Sequence, residues 1–400
     1  MPAFFFVSAL ATRYVGETPE IAAAKGVLMS KDVSDMAERM MAVLHARAGK
    51  IGKGEPLTPP IINAAKYALP GAPDHAYPYG RFDNPTWVAV EAAIGALEGA
   101  ETVCFPSGMA AVTAALMTTL KPKSKLLLPS DGYYTVRVLM DEFIKQHDID
   151  TTLVPTAEMT GYPVDGYDLV WIETPSNPGL DVCDIAAITK RAHAAGARVI
   201  VDNTTATPLL QRPLDFGAEL TVSSDTKALA GHSDVLFGHI SGRDDKLMER
   251  VRQWRKLSGA TPGPAEAYLA YRGLMTLELR LARMCDSAAE LANLFYSHQA
   301  VEQVRFPGLA NDPSYKIAAA QMTQPGFVIG LTFADEATAE KFITDCPAIF
   351  AATSFGGIQT SAERRARWGD AVPEGYVRLS VGCEPTSALV KAVSHTLDTL

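Results

Sequence analysis

Between Thr102 and Ile240, short apolar runs alternate with helical stretches, and this alternation constrains the fold more than any single motif. Strand candidates are Thr102–Phe105, Lys125–Leu128, Thr152–Val154, Leu169–Ile172, Arg198–Val201, Leu220–Ser223 and Leu236–Ile240. Helical stretches fall at Thr86–Leu97, Gly108–Leu120 and Ile185–Ala194. Such a pattern predicts an α/β architecture, a mostly parallel sheet covered by helices on both faces. Ligands of these sheets gather at the carboxyl ends of the strands. Ser107, Glu173, Asp202 and Lys227 all fall at or just beyond such ends, which predicts one shared site.

The flanking segments read differently. Phe4-Phe5-Phe6-Val7 is short for a signal segment and follows no basic residue, so residues 1–28 are expected to be a poorly ordered extension or to precede a start at Met29. Residues 29–70 are read as a helix and arm. The helix runs from Ser30 to about Lys50 on Met36, Met40, Met41 and Leu44, before a Gly/Pro-rich loop. A larger domain is expected over 71–262. Gly259-Ala260-Thr261-Pro262-Gly263-Pro264 breaks the pattern. The remaining 263–400 reads as a smaller α+β domain, with one long helix over Ala265–Tyr296, strands at Phe327–Phe333 and Tyr376–Ser380, and helices at Glu336–Cys346 and Ser387–Leu400.

Composition narrows the function. A chain of 400 residues that is 48% hydrophobic and 20% charged is that of a globular protein. Its net charge of -9 offers no basic excess for nucleic acid. No run reaches the roughly 20 apolar residues of a membrane span. The five cysteines are dispersed without a Cys-x-x-Cys pair, and the histidines lack ligand spacing; reduced thiols, a cytoplasmic setting and no metal are expected.

Asp202 ends an apolar strand, and Ser224-Asp225-Thr226-Lys227 follows the next one. This is the arrangement that pyridoxal 5'-phosphate (PLP) chemistry requires. A lysine amine condenses with the cofactor aldehyde, and the hydroxyls of Ser224 and Thr226 donate to the phosphate. An aspartate keeps the pyridine nitrogen protonated, so that the ring can draw electrons from a substrate carbanion.

Other strings fit the same site and also admit plainer readings. Arg81 could pair with a phosphate dianion while Tyr79 adds a donor, or both could belong to a surface loop. Ser107-Gly108-Met109 opens a helix whose amides suit an anion, or is an ordinary Ser-capped turn. Tyr133 could stack on a pyridine ring and shuttle a proton, or pack in the core. Asn177 could bond the cofactor or a carboxylate, or serve a Pro-flanked turn. Arg378, in the apolar strand Tyr376–Ser380, demands an anion: a substrate carboxylate or a structural salt bridge. Glu363-Arg364-Arg365-Ala366-Arg367 reads as a solvated face, with a substrate role left open by its basic density, and His232 reads as structural.

Together these strings resemble the Cys/Met-metabolism family of PLP enzymes. The resemblance runs from about Pro59 to Leu400 and rests on Tyr-x-Arg-x-x-Asn-Pro-Thr at 79–86, Ser-Gly-Met-Ala at 107–110 and Glu-Thr-Pro-Ser-Asn-Pro at 173–178. It continues through Asp-Asn-Thr at 202–204, Ser-x-Thr-Lys at 224–227, Gly-His-Ser-Asp at 231–234, Arg-Gly-Leu-x-Thr-Leu at 272–277 and the Arg378 strand. It implies the aspartate-aminotransferase type of fold, a mostly parallel seven-stranded sheet in a PLP-binding domain over 71–262. It implies Lys227 as the Schiff-base lysine, Asp202 as the pyridinium partner and Tyr133 stacked on the ring and active in proton transfer. Ser107, Gly108, Met109, Ser224 and Thr226 would hold the phosphate from the same subunit, with Tyr79 and Arg81 reaching in from a neighbour of a homotetramer. Asn177, Ser354, Gln359 and Arg378 would meet the substrate.

The implied activity is carbon–sulfur cleavage of a sulfur amino acid, with cystathionine γ-lyase chemistry as the expectation. γ-Replacement by a synthase or sulfhydrylase, cystathionine β-lyase and methionine γ-lyase chemistry are the alternatives, and a PLP-fold binding protein without catalysis is a different class. Three positions depart from the family pattern. Ala228 follows the lysine where tyrosine is usual, Tyr133-Tyr134-Thr135 replaces Tyr-Gly-Gly, and Gln359 stands where a glutamate is usual. Loss of that glutamate's charge should weaken recognition of a distal ammonium.

Overall fold

Leu169–Glu173 is buried at every residue, and successive side chains of a strand point to opposite faces. Leu169 and Trp171 pack on one side with residues of helix Gly108–Thr119, while Val170 and Ile172 pack on the other with residues of helix Ile185–Ala194. A strand apolar on both faces needs both covers, and the computed structural model, which describes residues 37–400, supplies them. The expected extension over 1–28 and the opening of the helix expected at Ser30 lie outside the described residues. Within them that helix covers 37–44 and gives way to turns, earlier than the expected Lys50 and ahead of Gly49, whose φ of 74° is left-handed.

The large sheet has seven strands: β1 (Glu101–Phe105), β2 (Lys125–Pro129), β3 (Asp150–Val154), β4 (Leu169–Glu173), β5 (Arg198–Asp202), β6 (Leu220–Ser223) and β7 (Gly238–Gly242). Their order is β1-β7-β6-β5-β4-β2-β3. Only β7 runs antiparallel to its neighbours β1 and β6; the other pairs are parallel. The last strand begins at Gly238 rather than the expected Leu236. Phe237 is engaged with the lysine loop instead: its N–H donates to Thr226 Oγ1, and its carbonyl accepts from the Thr226 amide.

The single helix expected over Ala265–Tyr296 is two, Pro264–Leu274 and Leu277–Ser297. At the break the Arg280 guanidinium donates to the carbonyls of Gly273, Ala228 and Leu229, tying this junction to the residues that follow Lys227. The C-terminal part carries a second sheet, β8 (Gln303–Arg305), β9 (Val328–Thr332), β10 (Phe350–Ala351), β11 (Ser361–Arg364) and β12 (Tyr376–Ser380), in the order β10-β11-β12-β9-β8. Alternation again decides what each side chain meets. Val377 and Leu379 of β12 join a core with Phe342, Leu389 and Val393, while Tyr376, Arg378 and Ser380 take the opposite face.

Candidate active site

That opposite face looks onto the carboxyl ends of the large sheet, and a cavity of about 1050 Å³ lies between them. Its wall contains Ser107, Gly108, Met109, Tyr133, Asn177, Asp202, Ser224, Thr226, Lys227, Ser354, Gln359 and Arg378. Twelve of the fourteen residues singled out in the sequence thus share one cavity. Tyr79 and Arg81 do not. Their loop is exposed, and Arg81 donates to the Lys256 carbonyl and lies over the rings of Tyr79 and Phe82.

At the cavity floor the Lys227 amine donates to Ser354 Oγ at 2.6 Å. Burial, and then the Arg378 guanidinium, bring this amine down from its ordinary value to about 8. Ser354 adopts a φ of 78°, a conformation uncommon for a residue other than glycine. Its carbonyl accepts from Arg378 at 3.0 Å, so one strained residue contacts both cationic side chains. Gly356 makes the approach possible, because a Cβ there would lie 2.4 Å from the Ala228 amide nitrogen.

Asp202 ends β5 and is buried, with Oδ1 accepting from the Thr204 amide at 3.0 Å. Burial raises its carboxyl above the ordinary range, while the Thr204 hydrogen bonds, His239 and Lys227 favour the ionised form. Glu173 is its direct neighbour on β4. The Glu173 carboxyl is lifted well above its usual range by burial and then by Asp202, and it accepts from the amides of Tyr133 (2.6 Å) and Asn177 (3.0 Å). It thereby joins the turns beyond β2 and β4.

Opposite the strand ends, helix Gly108–Thr119 points its N-terminus at the cavity. Ser107 Oγ caps the Ala110 amide and its carbonyl takes the Ala111 amide, which leaves the Gly108 and Met109 N–H groups without helical partners. A Cβ on Gly108 would lie 2.5 Å from the Ser224 side chain, so glycine sets how closely helix and lysine loop meet. Uncapped amides, a serine hydroxyl and a helix N-terminus make an anion seat. With the buried Asp202 carboxyl and the low-pKa Lys227 amine lining the same cavity, the groups present suit PLP: an anion seat for its phosphate, an amine for its aldehyde and a carboxyl for its ring nitrogen.

At the other wall, Arg378 donates to Asn177 Oδ1 and to Glu363, its direct cross-strand partner. Burial and then Arg365 lower the Arg378 guanidinium to about 10. Here the structure corrects the reading of 363–367 as a solvated face. Ser361–Arg364 is strand β11, and Glu363, Arg364 and Arg365 are buried. Glu363 accepts from Arg378, Arg365 (2.8 Å), Trp368 Nε1 (2.9 Å) and Thr353 (3.2 Å). Glu363, Arg365 and Arg378 form an internal network in which each charge has an opposite partner, while Arg364 pairs with the exposed Glu336 and Glu374 and the half-buried Glu340. Arg365 and Trp368 also line the cavity; the basic density of 363–367 was the signal for Arg365, and Trp368 carried none. His232 Nδ1 lies 2.7 Å from the Ala230 carbonyl, within the loop after Lys227.

Residues 42–398 match the family model of the Cys/Met metabolism PLP-dependent enzymes. The chain belongs to that family. PLP is therefore its cofactor, and the aspartate-aminotransferase type of fold is the fold its solved relatives share with it. A Streptomyces coelicolor protein with the provisional name cystathionine gamma-lyase is 46% identical over 353 residues, covering 86% of this chain and 90% of the relative. An L-methionine gamma-lyase of Pseudomonas putida is 34% identical over 86% of this chain and 93% of its own. The crystal structure of cystathionine gamma synthase from Xanthomonas oryzae pv. oryzae in complex with cystathionine superposes with a TM-score of 0.86 at 31% identity, covering 90% and 97% of the two chains. The enzyme therefore acts within cysteine and methionine metabolism. Among the described residues no helix is long and apolar enough to cross a membrane.

Proposed function

We propose that this enzyme cleaves the Cγ–S bond of cystathionine, taking up water and releasing cysteine, 2-oxobutanoate and ammonia. The observation that carries the proposal is that the Lys227 amine and the Arg378 guanidinium line one cavity and both contact Ser354. The 46% identity to the Streptomyces coelicolor relative favours elimination over the other activities named among its relatives.

In this reading Arg378 and Asn177 bind the substrate α-carboxylate, and Ser354 orients the amine end. PLP, when bound, supplies the electron sink for carbanions at substrate Cα and Cβ. Ser107, Gly108, Met109, Ser224 and Thr226 hold its phosphate, and Asp202 holds its ring nitrogen. Lys227, with an amine near 8, can take a proton from Cα and return one at neutral pH. Tyr133, which lines the cavity and is 39% exposed, can deliver the proton that leaves with the thiolate. Gln359 lines the distal wall, where a neutral amide reads the far end of the substrate. Tyr79 and Arg81, exposed and outside their own cavity, serve the site of a neighbouring subunit in a homotetramer built as a dimer of dimers. The setting we propose is the cytoplasm, in keeping with five free thiols.

Product analysis tests the assignment. The holoenzyme is given cystathionine, homocysteine, methionine or O-acylhomoserine, with and without added cysteine. Accumulation of 2-oxobutanoate and cysteine from cystathionine is the expected result. A new thioether formed from O-acylhomoserine and cysteine, without keto acid from cystathionine, would assign γ-replacement instead.

A further inference from the structure

Behind the cavity wall lie three buried charged side chains that do not line it: Glu98, which closes helix Pro85–Glu98, Asp225, two residues before Lys227, and His239 on β7. His239 Nδ1 is 2.7 Å from Asp225 Oδ1, and Nε2 is 3.2 Å from Glu98 Oε1. An ionised carboxylate can only accept, and a neutral imidazole carries a single N–H. Both contacts form together only if the ring bears two protons. Burial opposes that charge, but the two carboxylates outweigh it and hold the imidazole up to about 10. Asp225 Oδ2 and Glu98 Oε2 are buried without a hydrogen-bond partner among the described residues, and His239, which contacts the other oxygen of each, offsets one of the two charges. Glu91 of the same helix pairs with Arg255 and Arg252 of helix Asp245–Ser258, and Arg252 also pairs with Glu101 of β1.

The cluster adjoins the chemistry on two sides. The Asp225 carbonyl accepts from the Ala230 amide at 2.9 Å, closing the loop that carries Lys227, and its neighbours Ser224 and Thr226 both line the cavity. His239 also pairs across the ladder with Ser223, the last residue before that loop. Its charge favours the ionised form of Asp202, whose burial works the other way.

We propose that His239 is a positioning residue for the cofactor end of the site, a fixed buried cation that places the Ser224–Lys227 loop through Asp225 and stands two strands from Asp202 in the same sheet. The proposal rests on the roles given above to Lys227 and Asp202. Buried charge of this kind is costly unless each partner is present.

The test compares His239→Gln with His239→Lys in the PLP-loaded enzyme. The readouts are PLP affinity and the pH at which the bound cofactor's visible absorbance changes. Losing a positive charge raises the proton affinity of groups nearby, so His239→Gln should move that midpoint upward by on the order of half to one pH unit. PLP should bind on the order of tenfold more weakly. Asp202, Arg378, Glu363 and Arg365, the charged groups around the Lys227 nitrogen, and Glu173 beside Asp202 are the same in both His239 variants. His239→Lys keeps the charge and should keep the midpoint near wild type. If both variants melt lower while the midpoint and the affinity stay at their wild-type values, the cluster is structural and the proposal is overturned. Should His239→Gln fail to fold, Asp225→Asn leaves the imidazole bonded to Glu98; weaker PLP binding supports the proposal and unchanged binding overturns it. Asp202→Asn separates the two levels. If it leaves affinity and spectrum unchanged, the underlying reading of Asp202 fails; if it alters them while His239→Gln does not, only the role of His239 fails.

Discussion

Replacing Arg378 with glutamine separates the two explanations for a buried arginine in β12. The guanidinium meets Asn177, Ser354 and Glu363, and its Nε is buried without a hydrogen-bond partner among the described residues. Breaking a buried ion pair usually costs about 3–5 kcal/mol, because the remaining charge is stranded. Glu363 would not be stranded, since Arg365, Trp368 and Thr353 continue to donate to it. The variant should therefore fold and bind PLP. What it loses is the contact to the substrate α-carboxylate, a charge-assisted hydrogen bond worth about 1.5–3 kcal/mol. At about 1.4 kcal/mol per factor of ten, KM should rise roughly 10- to 150-fold. A smaller fall in kcat at neutral pH should accompany it, because the Lys227 amine loses a neighbouring positive charge and titrates higher. Steady-state release of 2-oxobutanoate, with a melting curve and PLP content measured in parallel, gives all three quantities. An unchanged KM with a lower melting temperature would show that Arg378 serves Glu363 and not the substrate.

Two further outcomes follow from the same geometry. In the PLP-free protein, Lys227→Met should be stabilising at pH 7. The gap between about 8 in the fold and the ordinary 10.5 corresponds to about 3 kcal/mol of unfavourable charge burial. That cost is fully present below pH 8 and vanishes as pH rises towards 10.5, so urea titrations should show the advantage of the variant shrinking over this window; a constant difference would refute the depressed amine. Arg81→Ala should weaken PLP binding without altering the melting temperature of the PLP-free protein, and unchanged affinity would mean that the exposed 79–86 loop does not serve a neighbouring site.

The sheet was legible because its strands are short, apolar and separated by helices, and β4 shows the rule at its simplest: five buried residues with alternate faces under two helices. Lys227, Asp202 and the Ser107 turn were legible because strand ends collect ligands, which makes position along the chain a proxy for position in space. The misreadings have a common cause. Glu363, Arg364 and Arg365 look like surface until β12 pairs with β11 and sets Glu363 opposite Arg378. Asp225, His239 and Glu98 are separated by up to 141 residues, and only the fold brings them together. Buried charge is defined by its partners, and partners distant in sequence leave no periodic trace. The helix break at Met275-Thr276 escaped for a related reason. No proline or glycine marks those two positions, and the break serves the reach of Arg280 to the lysine loop.

The central claim is that the ε-nitrogen of Lys227 bonds the PLP aldehyde. Reducing the holoenzyme with borohydride, digesting it and sequencing the labelled peptide by mass spectrometry tests it directly. One pyridoxyl group on the peptide that contains Ser224-Asp225-Thr226-Lys227, attached at Lys227, is the expected result. A label on another lysine, or none on this peptide while the enzyme remains active, would contradict the account.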